Sequence, residues 1–201
     1  MNVYVETNFV LEHALEQEEC DTCAEIIRLA STGRLRLVVP AFSLAEPYYA
    51  IYGKAKSRSR LGEDLRVHLG QLGRSRRHRE IPATFDALAA ALIASAQFER
   101  EGVRRAVSEL IQAAEVIPLD AAIIRAAAEA EISYGLSGLD AVVLASVLAH
   151  LEENKPAESC FLNLNAKDFD DPDIQDRLDA YNCRFFPKFT PALEYVLAKL
   201  P

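Results

Sequence analysis

The chain has 201 residues, of which half are hydrophobic and 26% are charged. This length is ordinary for one domain with its own core, so we expect a single domain over residues 1–201. No apolar run approaches the roughly 20 residues of a membrane helix, and the opening MNVYVETNFV lacks the features of a secretory signal. We therefore expect a cytoplasmic protein with no membrane partner.

The charge is unevenly distributed along the chain. The net charge is −8, which argues against a protein that coats nucleic acid through its whole surface. The segment from Lys54 to Arg79, however, carries nine basic residues against two acidic ones, a net +7 that leaves −15 for the rest. Two interpretations stay open: a basic arm that approaches a polyanion, and a solvated, mobile connection between helices.

The first 40 residues predict a parallel βαβ unit. Residues 3–5 are β-branched and aromatic and stop at the acid Glu6, which is typical of a buried strand. An amphipathic helix over residues 20–31 follows, and residues 35–39 form a second strand before Pro40. The helix places the thiols of its C-x-x-C about one turn apart, and we expect all four cysteines to be reduced.

The middle of the chain predicts helices. A helix after Pro40 carries Glu46 among apolar neighbours, and Pro47 either confines that helix to an early turn or kinks it. Residues 83–114 have apolar residues at helical spacing and predict either one long helix or two shorter helices divided at Gly102. Residues 116–117 predict a short strand.

The last third alternates helices and strands. Asp120 is the expected N-cap of a helix to about residue 132, and Ser137 that of a helix to about Asn154. A strand over residues 159–162 leads into the polar loop NLNAKDFDDPD. A helix from Pro172, a strand over residues 183–186 and a terminal helix starting at Thr190 complete the prediction.

Acidic residues fall where several predicted elements meet. In a parallel α/β sheet, ligands bind beyond the carboxyl ends of the strands, and Glu6 and the loop over residues 163–168 occupy such ends. Glu46 and Asp140 lie near helix starts that can face the same crevice. A group of carboxylates stays ionised only beside a cation or a basic partner, and oxygen ligands favour Mg²⁺ or Mn²⁺.

Each of these acids also has a purely structural interpretation. Ser137 and Asp140 fit the spacing of a capping box, and Ser43 and Glu46 fit it too. Glu6 could equally cap a helix or pair with an arginine, and the acids of the last loop could belong to a solvated turn. Their joint order along a βαβ framework favours the functional interpretation.

Four short segments resemble the motifs of PIN domains. VYVETNFVL is similar to the opening motif, in which an acid followed by Thr-Asn or Thr-Ser ends the first strand. SLAEPYYAI resembles the second motif, with its acid at Glu46, and GLSGLDAVVLASVLAH the third, with its acid at Asp140. FLNLNAKDF resembles the fourth, where a strand runs into a K-D-F loop.

The resemblance implies a three-layer α/β/α fold with a central parallel sheet and a basic helical insertion around residues 54–115. It also implies Mg²⁺- or Mn²⁺-dependent cleavage of RNA, a homodimer and, for relatives of the VapC toxin type, an antitoxin partner. The implied catalytic residues are Glu6, Glu46, Asp140 and Asp168, and the implied metal ligands are these four with Asn165. The expected substrate-binding residues are Asn8, Asn163, Arg58, Arg60, Arg74, Arg76 and Arg77.

The chain departs from the family pattern at three of these positions. The family usually has Asp where Glu6 stands, often Thr or Ser where Asn163 stands, and commonly Asp where Asn165 stands. Asn offers a carbonyl oxygen to a metal but no charge, and Glu6 is one methylene longer than Asp. Two hypotheses follow: an active metal-dependent endoribonuclease, and a catalytically impaired module of the same fold that binds RNA or a protein partner. A metal-dependent phosphatase or phosphotransferase is a third, weaker one, since no Gly-rich phosphate loop is present.

Overall fold

A computed structural model describes residues 1–78 and 81–200, so Arg79 of the basic segment lies outside the described residues. Five strands pair in parallel in the order β3-β2-β1-β4-β5. They are β1 (Asn2–Val5), β2 (Arg36–Pro40), β3 (Ala114–Ile117), β4 (Ser159–Leu162) and β5 (Cys183–Phe186). The central parallel sheet flanked by helices confirms the predicted α/β fold class.

Side chains alternate across the sheet and feed two separate cores. On β1, Val3 and Val5 belong to one buried cluster while Tyr4 between them belongs to the other. The same alternation holds on β4, where Phe161 joins the cluster of Tyr4. Because strand side chains point alternately to opposite faces, both faces of the sheet are buried and must be covered by helices.

Helices cover each face. The first cluster includes residues of α1 (Thr7–Ala14), α2 (Cys20–Ser31), the end of α4 (Ile81–Ala113) and α9 (Phe189–Lys199). The second cluster includes residues of α5 (Ala121–Tyr134), α6 (Gly138–Asn154), the short α7 (Ala166–Phe169) and α8 (Pro172–Asp179). The result is the three-layer α/β/α arrangement that the resemblance implies. The four cysteines are free thiols, as expected.

The basic segment belongs mostly to one long helix. Helix α3 runs from Ala41 to Leu72, continues through Pro47, and is followed by a single 3-10 turn, Arg76–His78. The interpretation of this segment as a connection between helices is therefore wrong for residues 54–72. The prediction that Pro47 confines its helix to an early turn is also wrong, because the proline removes only one backbone hydrogen bond of a helix that packing elsewhere supports.

Helix α4 packs antiparallel to α3 and forms a hairpin with it. Gly62 of α3 lies against Ala89 and Ile93 of α4, and an ion pair joins Arg58 to Glu99 further down the pair. Small residues at the contact allow the two helix axes to approach closely. Whether this hairpin is an insertion into a minimal domain remains a prediction.

Helix α4 continues through Gly102, so of the two predicted alternatives one long helix is correct and a division into two shorter helices is wrong. A Cβ atom at this position would lie 2.1 Å from the backbone oxygen of Ala14 at the end of α1. Gly102 therefore serves a close contact between two helices rather than a break in one of them.

Within residues 1–78 and 81–200, no single helix is long and apolar enough to cross a bilayer. Helices α5 and α6 together have the length and composition of a membrane span, but they meet at an angle of 114°.

Candidate active site

A pocket of about 440 Å³ opens at the carboxyl end of β1. It lies where β1, α3, α6 and the loop after β4 meet, which is the edge of a parallel sheet where ligands are expected. Its lining residues are Glu6, Thr7, Asn8, Leu11, Glu46, Ala50, Asp140, Leu164 and Asn165. Three acids that are far apart in the sequence therefore open onto one pocket.

Glu6 is the most deeply buried of these acids. It follows β1 directly and is the N-cap of α1, where its Oε1 accepts a hydrogen bond of 3.0 Å from the backbone N–H of Asn8. Burial is the main cause that raises the pKa of the Glu6 carboxyl to about 8; the negative charges of Glu46 and Asp140 add to the rise, and the hydrogen bonds from Asn8 oppose it. Without a cation in the pocket, Glu6 is therefore mostly protonated at pH 7.

Glu46 is held by a neighbour that the sequence analysis did not select. The hydroxyl of Thr7 donates a hydrogen bond of 2.5 Å to Oε2 of Glu46, which joins α1 to α3 across the pocket. Thr7 is itself buried. Its position directly after the acid that ends the first strand was the signal available in the sequence.

Asp140 takes part in the cap of α6 and also lines the pocket. Ser137 caps α6, its Oγ accepting from the backbone N–H of Asp140 at 3.3 Å and donating to Oδ2 at 2.6 Å. The predicted capping box is thus present in part, with the serine hydroxyl as the cap. The carboxylate of Asp140 nevertheless lines the pocket, so the hydrogen bond fixes its orientation there.

Amide side chains organise the loop after β4. The Oδ1 of buried Asn163 accepts from the backbone N–H of Asn165 at 2.8 Å and from Nδ2 of Asn8 at 3.2 Å. Asn165 lines the pocket and its Nδ2 donates to Oδ2 of Asp168 at 2.8 Å. Asp168 is absent from the lining and reaches the site through Asn165. The hydrogen bond between Asn8 and Asn163 therefore joins α1 to the loop after β4 beside the pocket.

The donor atoms fit a hard divalent cation. Three carboxylates and one amide oxygen are ligands that Mg²⁺ and Mn²⁺ accept. The charges of Glu46 and Asp140 act on the buried Glu6 carboxyl, so a cation here would offset a repulsion already present. Among the residues that the structure describes, however, no three His, Cys, Asp or Glu side chains lie close enough together to form a ready-made metal cluster.

The predicted substrate-binding arginines lie away from the pocket. From Glu46, the helical rise places Arg58 and Arg60 about 18 and 21 Å along α3. Arg74, Arg76 and Arg77 lie beyond its end, about 40 Å from Glu46 or more, and are exposed. The structure therefore does not bring these arginines together with the acids, and Arg58 is engaged by Glu99.

An acidic pocket at the carboxyl edge of a parallel α/β/α sheet is an arrangement suited to metal-assisted chemistry on phosphate esters. In a comparison with protein families, a model described as PIN domain matches residues 3–169, from β1 through α7. The chain belongs to the PIN domain family, whose members are generally nucleases, and the resemblance of the four motifs is confirmed. A search of curated proteins finds no significant match.

Proposed function

We propose that this protein is a divalent-metal-dependent endoribonuclease that hydrolyses RNA phosphodiester bonds. The observation that supports this most directly is the convergence of Glu6, Glu46 and Asp140 on one pocket. These acids come from β1, α3 and α6, so capping alone does not account for their common orientation.

The proposed roles follow from the contacts. Glu6, Glu46, Asp140 and Asn165 hold Mg²⁺ or Mn²⁺, which when bound lowers the pKa of a coordinated water and offsets the charge of the scissile phosphate. Asp168, whose Oδ2 accepts a hydrogen bond from Asn165, contributes negative charge at the rim and orients the Asn165 amide.

The side chains around the acids have positioning roles. Thr7 directs one carboxylate oxygen of Glu46, and Ser137 does the same for Asp140. Asn163 and Asn8 fix the loop that carries Asn165. Because reacting groups must be held in a defined geometry, loss of such contacts lowers the rate without removing a ligand.

The proposal includes the partners that the resemblance implies. We propose that the protein acts as the toxin of a toxin–antitoxin pair, forms a homodimer and works in the cytoplasm. These elements rest on the likeness to VapC-type motifs. Co-purification with the product of a neighbouring gene, and light scattering of the isolated chain, test them.

A second candidate, a catalytically impaired module, is favoured by one observation. Asn165 stands where relatives commonly have Asp, and its Nδ2 is directed to Asp168, so the pocket carries one negative charge less. A weaker charge lowers the affinity for a divalent cation. Such a module would bind RNA or a protein partner without turnover.

Cleavage of a labelled RNA with and without Mn²⁺ tests the proposal. The Asp140→Asn variant keeps the size of the side chain but removes its charge, so we expect cleavage to fall to background. Asp176→Asn, at an exposed position of α8, is the matched control and should cleave normally. Cleavage by Asp140→Asn at equal purity would refute the assignment.

A second variant separates the two candidates. The double change Glu6→Asp and Asn165→Asp restores the family's usual acids. If the natural sequence is inactive and only this double variant cleaves, the impaired module is correct.

A further inference from the structure

A row of exposed aromatic and basic side chains runs along α3 away from the pocket. Tyr49 is 84% exposed and Tyr52 is 64% exposed, which is unusual for large aromatic side chains. Lys56 and Arg60 follow on the same helix and are also exposed. We call these four residues the tyrosine stripe.

The four residues share one side of the helix. At 3.6 residues per turn, Tyr49, Lys56 and Arg60 fall within about 40° of one another around the axis, and Tyr52 lies about 40° beyond them. The row begins about one turn after Glu46, whose carboxylate lines the pocket together with Ala50. Glu46 and Ala50 lie about 60° and 100° around the axis from Tyr49, so the stripe starts beside the acidic pocket and extends along the adjoining side of α3 to about 21 Å from Glu46.

The charges of the stripe are available to a ligand. In the part of the chain that the structure describes, neither Lys56 nor Arg60 forms an ion pair with an acid, whereas Arg58, on the opposite side of the helix, pairs with Glu99 of α4. Free cations that alternate with exposed aromatic rings match two features of a single strand, its phosphates and its unstacked bases. A protein partner that covered this surface would also have to bury two unpaired cations, which is costly.

We propose that the tyrosine stripe binds the single-stranded RNA that leads into or out of the pocket. Bases stack on Tyr49 and Tyr52, and phosphates pair with Lys56 and Arg60. This inference rests on the proposed nuclease function and adds to it the binding path and the preference for unpaired bases. Duplex RNA keeps its bases stacked on one another, so it cannot use the two rings in this way.

Binding measured without cleavage tests the stripe. In EDTA, fluorescence anisotropy with a labelled 12-nucleotide RNA should give an affinity that falls about 5- to 100-fold in Tyr49→Ala and in Tyr52→Ala. Tyr49→Phe keeps the ring and should bind like the natural sequence. Ile132→Ala, which truncates a similarly exposed side chain on α5, is the control and should change nothing.

Salt dependence separates stacking from charge. Lys56→Ala should reduce the slope of log K against log salt by about 0.7, the value for one phosphate contact of a single strand. Tyr49→Ala should lower the affinity and leave the slope unchanged. The matched control is Arg125→Ala, at an exposed position of α5, which should affect neither quantity.

Three results would refute the proposal that the tyrosine stripe binds RNA. The first is that the natural sequence shows no measurable binding, and the second is that both Tyr→Ala variants keep their affinity. The third is that the variants lose as much affinity for a duplex of the same sequence as for the single strand. Unchanged RNA binding together with lost binding of a co-purifying protein would assign the surface to a protein instead. The nuclease proposal and the stripe proposal can fail independently. If the protein never cleaves RNA but the stripe variants bind RNA more weakly, the nuclease proposal is wrong and the stripe proposal stands.

Discussion

The buried carboxyl of Glu6 predicts an unusual dependence of stability on pH. Its pKa is 4.5 in the unfolded chain and about 8 in the folded protein. Between these values the unfolded state is ionised while the folded state still holds the proton, so the free energy of unfolding falls as the pH rises. Below pH 4.5 the contribution is fully present, and above about pH 8 it is lost.

The size of the effect follows from the difference in pKa. Each pKa unit corresponds to about 1.4 kcal/mol, so ionising Glu6 costs the metal-free folded state about 5 kcal/mol. About 4 kcal/mol of this falls between pH 5 and pH 9. The Glu6→Gln variant carries no titrating group there and can still accept the hydrogen bond from Asn8.

Urea denaturation in EDTA at a series of pH values measures this contribution. The difference in unfolding free energy between Glu6→Gln and the natural sequence should grow by about 4 kcal/mol in favour of the variant from pH 5 to pH 9. Glu129→Gln, at an exposed position of α5, is the control and should track the natural sequence. Parallel curves for Glu6→Gln and the natural sequence would refute the reasoning.

Divalent metal should weaken this dependence of stability on pH. Binding requires the ionised carboxylate and so releases a proton, which makes metal binding tighter as the pH rises. In saturating Mn²⁺ the stability of the natural sequence should depend less on pH than it does in EDTA. An identical dependence in both buffers would argue against Glu6 as a ligand.

Two further predictions concern the helices that support the pocket. Gly102→Ala forces a Cβ against the Ala14 carbonyl and should lower the free energy of unfolding, measured in urea, by several kcal/mol. The control is Gly70→Ala, which has open space around it and should be neutral or stabilising by up to about 1 kcal/mol. Equal effects of the two changes would refute the contact. Arg58→Met leaves the buried Glu99 carboxylate unpaired and should lower the free energy of unfolding by about 2 to 3 kcal/mol. The double variant Arg58→Met with Glu99→Leu should recover most of this lost stability in the same assay. If the effects of the two single changes simply add in the double variant, the pairing is contradicted.

Most strands of the sheet, and the starts of several helices, could be predicted from the sequence. Buried parallel strands carry continuous apolar runs, and the caps Asp120, Ser137 and Asp171 mark helix starts through local chemistry that needs no tertiary contact. The order of the strands in the sheet and the grouping of Glu6, Glu46 and Asp140 depend on long-range packing. For the grouping, the guidance came from the position of the acids at predicted strand ends and helix starts, together with the family resemblance.

The long hairpin shows where local signals fail. Gly102 and Pro47 are residues that usually interrupt helices, yet both lie inside helices. At Gly102 the tertiary contact with α1 uses the missing side chain. Composition alone could not predict what the +7 segment contacts, because Arg58 pairs with Glu99, which lies 41 positions further along the chain.

The acid Glu46 and the projecting hairpin belong to the same helix, and this fixes what changes of length α3 can tolerate. Adding one residue between Glu46 and Tyr49 would rotate the rest of α3 by about 100° relative to Glu46, whereas adding seven residues would rotate it by only about 20°. The direction in which the hairpin leaves the domain is thus tied to the helical phase at the pocket. A change of length between Glu46 and the stripe should therefore be tolerated at about 7, 11 or 18 residues, which bring the helix back to within about 20° of its phase, whereas other lengths would turn the stripe away from the pocket.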